Sequence, residues 1–174
     1  MRLLLTFLLV LITPTTIAPT LQEKPIIETK IKKIIVKDLD KFLFDMGLRE
    51  SGNRYDIVNQ YGYMGKYQFG KSTLKTLKIK VTTDAFLNSP DLQEYAMLQN
   101  LYYNKKKLQK YIDKFEGQEI NGILITESGI LAAAHLGGPG SVRKYFRSGK
   151  IMKDGNGVKI TSYMKQFSGY DLYL

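Results

Sequence analysis

Gly47-Leu48-Arg49-Glu50-Ser51-Gly52-Asn53 closes a stretch in which Leu39, Phe42, Leu43 and Met46 recur at three- and four-residue intervals. That spacing puts the apolar side chains on one helical face and predicts a helix over about 38–50. Gly52 and Asn53 both tolerate the left-handed backbone of a helix C-cap, so they end it. Glu50 therefore falls at the C-terminal end of a helix, where the helix dipole disfavours negative charge. Partial burial would disfavour it as well, and both effects favour the protonated acid. A carboxylic acid that keeps its proton near neutral pH is what cleavage of a glycosidic bond requires. A surface glutamate at a helix end is the plainer reading of the position alone.

The residues downstream change the balance. Tyr61-Gly62-Tyr63-Met64-Gly65-Lys66-Tyr67-Gln68-Phe69-Gly70 packs three glycines and four aromatic residues into ten positions. Glycines let a ligand approach the backbone, and aromatic rings offer flat apolar faces with polar tips that suit sugar rings. Further on stands Ala132-Ala133-Ala134-His135-Leu136-Gly137-Gly138-Pro139-Gly140. Glu50-Ser51, then Gly65-Lys66-Tyr67-Gln68, then this alanine-rich run with its glycine-proline turn, resembles the soluble lytic transglycosylases of the lysozyme-like superfamily. The likeness covers about residues 38–170. It implies a mainly α, lysozyme-like single domain, with a small irregular or hairpin loop beside the active-site cleft. It also implies that Glu50 is the catalytic acid, that Gln68 lines the cleft beside it, and that Gly65 admits the glycan. Tyr67 belongs to the same substrate loop, and Ser51 either caps the helix end or contacts substrate. Tyr163 matches a family tyrosine that orients the glutamate, although plain core packing would also account for it. Many relatives carry Ala-Tyr-Asn-Ala-Gly where this chain has Ala134-His135-Leu136-Gly137-Gly138. The asparagine contact is therefore lost, and His135 either replaces it as a polar contact or is structural.

Composition narrows the chemistry. With 174 residues, one domain is the default and a real core can form. The chain has no cysteine, which excludes disulfides, thiol catalysis and thiolate metal sites. A single histidine excludes a multi-histidine zinc site, and no metal or organic cofactor is implied. The net charge is +10 and favours an anionic partner such as nucleic acid, a membrane surface or an acidic wall polymer.

Met1-Arg2 followed by the apolar run Leu3 to Ile12, then Pro14 and small residues, reads as an export signal over residues 1–20. An uncleaved anchor is the alternative, although the run is short for a membrane span. Without these residues, which carry only Arg2 as a charged side chain, the net charge becomes +10 − 1 = +9. Residues 21–37, rich in Lys and Ile, read as a linker or packing arm, and 38–174 as the catalytic domain. A short helix is predicted over about 71–77. A long one is predicted from Pro90 to about Phe115, capped by Ser89, stopped by Gly117 and apolar at Leu98, Leu101, Leu108, Ile112 and Phe115. Lys105-Lys106-Lys107 on that helix reads as a solvated face rather than a nucleic-acid site. Thr126 caps the next helix, which Gly137 to Gly140 breaks before Ser141 begins another.

A two-carboxylate glycosidase needs a second acid, and Asp56 and Glu127 are the candidates. The plainer readings are a loop aspartate bonding its own backbone and a first-turn helix glutamate. The family resemblance implies that one glutamate suffices. It acts as acid and then as base, while the muramoyl C6 hydroxyl attacks its own C1 and leaves a 1,6-anhydro end. The expected partner is a peptidoglycan glycan strand, met by a monomer in the periplasm or outside the cell, with no nucleic acid and no membrane span after processing. A muramidase that uses water and a non-catalytic glycan-binding module are the alternatives.

Overall fold

Asp38 starts the first helix by accepting a hydrogen bond from Lys41 N at 2.9 Å, and α1 runs Leu39–Ser51. Phe42 and Met46 are fully buried, and Leu39 and Leu43 pack partly buried beside them. The computed structural model describes residues 37–174, which belong to one compact unit. The expected leader, and all of the expected arm but Lys37, lie outside the described residues. Lys37 O accepts from Asp171 N at 2.7 Å, so the start of the unit is tied to its C-terminal tail.

The remaining elements are α2 (Lys71–Thr76), α3 (Thr83–Leu87), α4 (Pro90–Phe115), β1 (Glu119–Ile120), β2 (Ile123–Leu124), α5 (Glu127–Ser148) and α6 (Ile160–Gln166). The architecture is mainly helical. Among the described residues no helix is long and apolar enough to cross a membrane. Ser89 caps α4 through Leu92 N, with Pro90 in its first turn. The loop over 54–70 carries isolated antiparallel bridges, Val58 to Met64 and Met64 to Phe69, in place of a regular hairpin.

The core lies between α4, α5 and α6. Met97, Leu101 and Leu108 of α4 are fully buried, each contributing on the order of 2 kcal/mol. The buried stripe of α4 also contains Gln93, Asn100 and Asn104, while Leu98, expected on it, is half-buried. Ile130, Leu131 and the three alanines of α5 are buried, and small side chains there let neighbouring helices approach closely. A close approach is at Gly129, where an added Cβ would lie 2.6 Å from the backbone oxygen of Met164 in α6.

Three features differ from the sequence reading. The break in α5 is narrower than Gly137 to Gly140. Only Gly138 leaves helical geometry (φ 73, ψ 159), and Pro139 resumes the helix two residues before Ser141, because proline's fixed φ suits a first helical position. α3 and α6 are short helices that were not anticipated. β1 and β2 form an antiparallel hairpin around Asn121-Gly122, where positive φ at both residues (52 and 72) gives the turn the twist that paired strands need.

Candidate active site

The end of α1 is held rigidly. Gly52 N donates to Leu48 O at 3.1 Å and Asn53 N to Gly47 O at 3.0 Å, with positive φ at both residues (68 and 62). Gly47 has no room for a side chain, since an added Cβ would meet Asn53 Oδ1 at 2.3 Å and Lys66 Cε at 2.6 Å. This close packing sets the 54–70 loop directly against the helix that carries Glu50.

Glu50 is 13% exposed. Its Oε1 accepts a hydrogen bond from the Tyr163 hydroxyl at 2.6 Å. Tyr163 is buried in α6, and burial first, then the adjacent Glu50 charge, push its ionisation up, so the hydroxyl stays a donor. The Arg49 guanidinium lies 4.4 Å over the Tyr163 ring and bonds to Gln166, joining α1 to α6 on either side of the pair. His135, 6% exposed, places Nε2 at 2.9 Å from Tyr67 O and 3.9 Å from Glu50 Oε1. A carbonyl oxygen only accepts, so Nε2 carries a hydrogen and presents a donor beside the carboxylate. Nδ1 lies 3.4 Å from Asn100 Oδ1, and the Phe69 ring meets the imidazole edge-on.

These groups line a cavity of about 890 Å³. Glu50, Gln68, His135 and Tyr163 are all on its wall, which draws on both ends of the described chain. Gln68 adopts positive φ (50) and donates its amide to Gly65 O at 2.9 Å. The rest of the lining is rich in uncharged hydrogen-bonding groups and rings, including Asn59, Asn100, Asn104, Tyr61, Tyr63 and Tyr103. Among the described residues the charged side chains on the wall are Arg49, Glu50 and Asp154. Among the described residues the excess positive charge therefore lies outside the cavity.

Three expected substrate residues do not line it. Ser51 donates to Lys66 O at 2.8 Å and accepts from Arg54 N at 2.9 Å, so it fastens the helix end to the loop. Gly65 is buried against α4, where an added Cβ would lie 2.0 Å from Gln93 Oε1; its missing side chain admits Gln93 rather than a glycan. Tyr67 is fully buried, with its hydroxyl on Glu94 Oε2 at 2.5 Å and its carbonyl on His135. Each of the three supports the wall from behind.

The candidate second carboxylates are elsewhere. Asp56 is 78% exposed and 3.6 Å from Arg54 Nε. Glu127 pairs with Lys105 at 3.0 Å beside a separate, smaller pocket. Asp154 is the other carboxylate on the cavity wall, and its Oδ1 accepts from Asn156 N at 2.9 Å and Val158 N at 2.7 Å. Asp154 stands in Asp154-Gly155-Asn156-Gly157, a sequence that signals a tight turn and does not itself point to a carboxylate on a cavity wall. Asn100 and Asn104 had a readable signal: they are amides four apart within the apolar stripe that Met97, Leu101 and Leu108 define. The chain matches no family model, and comparison with curated proteins and with solved structures gives no significant match.

Proposed function

We propose that this chain is a lysozyme-like, peptidoglycan-cleaving protein that acts outside the cytoplasm as a lytic transglycosylase, breaking the MurNAc-β-1,4-GlcNAc bond with Glu50. One observation carries the reading. A largely buried carboxyl group, oriented by a tyrosine hydroxyl, faces a large cavity lined by amides, hydroxyls and aromatic rings, while the other wall carboxylate is bonded to its own turn. Amides both donate and accept, and rings cover apolar sugar faces, which together match the alternating chemistry of a glycan.

In this mechanism Glu50 gives its proton to the leaving glycosidic oxygen as the C1–O bond breaks. The carboxylate then takes the proton of the muramoyl C6 hydroxyl as that oxygen bonds to C1. The enzyme returns to its starting state, one 1,6-anhydro end forms, and no water is consumed. Tyr163 holds Oε1 through both steps and stabilises the carboxylate between them. The C6 hydroxyl competes with water because it is already positioned at its own ring.

Digestion of purified peptidoglycan in ¹⁸O-water tests this directly. Fragments ending in unlabelled 1,6-anhydro-muramic acid are expected by mass spectrometry. Labelled reducing ends would make the protein a muramidase, with Asp154, the only second carboxylate on the wall among the described residues, as the group that handles water. Binding to walls without any release of fragments would make it a glycan-binding module.

A further inference from the structure

Two turns distant in sequence are built alike and meet at the cavity. In the first, Asn59 Oδ1 accepts from Tyr61 N at 2.9 Å and from Tyr63 N at 3.0 Å, and Gly62 N closes onto Asn59 O at 2.9 Å. In the second, Asp154 Oδ1 accepts from Asn156 N and Val158 N, and Gly157 N closes onto Asp154 O at 3.0 Å. In each turn a side-chain oxygen pins the backbone two and four residues on, an arrangement that fixes a tight turn from within. Gly62 and Gly157 both take φ 81, which a side chain would oppose. Both turns line the same cavity as Glu50.

Their tips touch. The Tyr61 hydroxyl donates to Asn156 Oδ1 at 3.3 Å, and the ring lies beside Gly155, where an added Cβ would sit 3.4 Å from Tyr61 Cζ. No sugar ring passes between surfaces that close. A long glycan can lie sideways in a groove only if the mouth is open along its length. A wall joined by a contact from one lip to the other admits a chain end first.

We infer that the Tyr61–Asn156 contact is a strap across the cleft and that it restricts the protein to glycan chain ends, so that it releases short fragments of one length rather than cutting strands internally. This rests on the glycoside-cleaving reading above. The strap acts by excluding a binding mode, and it needs no contact with the scissile bond. Its internal pinning distinguishes it from a loop that swings clear: the two turn backbones are held in place, so the strap parts only by turning the Tyr61 or Asn156 side chain.

The test is a time course on long, peptide-free glycan strands, with products sized by chromatography and identified by mass spectrometry. Wild-type protein is expected to yield one short product class from the earliest times while the remaining strands stay long. Tyr61→Ala removes the ring that spans the mouth and is expected to raise the yield of intermediate-length fragments about fivefold or more. Asn156→Ala, which removes only the accepting amide, is expected to shift the distribution the same way by less. A broad ladder of fragments from the wild type at early times overturns the strap while leaving the cleavage chemistry standing. Active Tyr61→Ala protein that keeps the single short product overturns it too. Wild-type protein that cleaves nothing overturns the function and this inference with it.

Discussion

Glu50 and Glu94 are both partly buried, and Tyr67 links their surroundings, giving its hydroxyl to Glu94 and its carbonyl to the histidine beside Glu50. Their partners differ. Glu94 has Lys66 Nζ at 2.7 Å and the Tyr55 hydroxyl at 2.6 Å on one oxygen, and the Tyr67 hydroxyl at 2.5 Å on the other. Burial raises its pKa, but Lys66 and the two hydroxyls outweigh that and hold it below the usual carboxylate value. Glu50 is the more hidden of the two, yet its one side-chain hydrogen bond, from Tyr163, is on Oε1, His135 Nε2 lies 3.9 Å from the same oxygen, and its neighbourhood opens on the cavity. A buried carboxylate with both oxygens satisfied is an anchor, and here it fastens the 54–70 loop to α4. One with spare capacity beside a ligand-sized cavity is free to act on a ligand, as proposed for Glu50.

Exchanging the same atoms at the two sites should therefore give opposite phenotypes. The largest effect is expected for Glu50→Gln, which keeps shape and hydrogen bonding but has no proton to give. Cleavage should fall by at least ~10² while the thermal midpoint and wall binding stay near wild type. Full activity in this variant would remove Glu50 from the chemistry and dissolve the contrast.

Next comes Glu94→Gln. It leaves the Lys66 ammonium, 11% exposed, without its counter-charge. Loss of a well-buried pair costs 3–5 kcal/mol, and because Glu94 is 31% exposed the expected loss is about 2 kcal/mol, read by denaturant unfolding. Cleavage per folded molecule should be retained. The pH dependence follows from the sign of the shift. Glu94 has a folded pKa below its unfolded value, so its contribution is fully present above the ordinary value of 4.5 and is lost as pH falls through the folded pKa. The stability gap between wild type and Glu94→Gln should therefore narrow on acidification below that value. A gap that widens there would show that Glu94 is not held as a carboxylate.

The smallest effect is expected for Tyr163→Phe. It removes one hydrogen bond to Glu50 and keeps the ring under Arg49. A hydrogen bond to a charged group is worth about 1.5 kcal/mol at the low end of its range, where one that only orients the carboxyl group is expected to fall, so kcat should drop about tenfold. KM should hardly change, since the hydroxyl acts through Glu50. A change confined to KM would make Tyr163 a substrate contact instead.

The helices that set up the site were legible because their ends are marked locally. Ser89-Pro90 begins α4 where expected, and Gly52-Asn53 ends α1 with left-handed backbone at both residues. Glu50, Gln68, His135 and Tyr163 were each nominated from the chain and meet at one cavity, although Glu50 and Tyr163 are 113 residues apart. Ser51, Gly65 and Tyr67 stand within the same motifs but support the wall, because adjacency in sequence does not decide which way a side chain turns. What stayed hidden were pairings at a distance. Gln93 holding Lys66 N, Tyr55 O and Phe86 O is an amide on an apolar stripe, and nothing local names its partners. The Asn121-Gly122 hairpin was the opposite case, a strong local turn signal passed over because its strands are only two residues each.

The contact between Gly129 and the Met164 carbonyl has a genetic consequence. α6 rests on α5 at a point where even a methyl group has no space, and α6 carries Tyr163. An alanine at 129 would displace backbone rather than a flexible side chain, and the displacement would reach Glu50 through the tyrosine. A screen for loss-of-function alleles would then return Gly129 together with Glu50, and suppressors would arise along the α5–α6 seam. Such an allele would look like an active-site lesion, yet it would lie in the first turn of a helix that meets the cleft only further along its length.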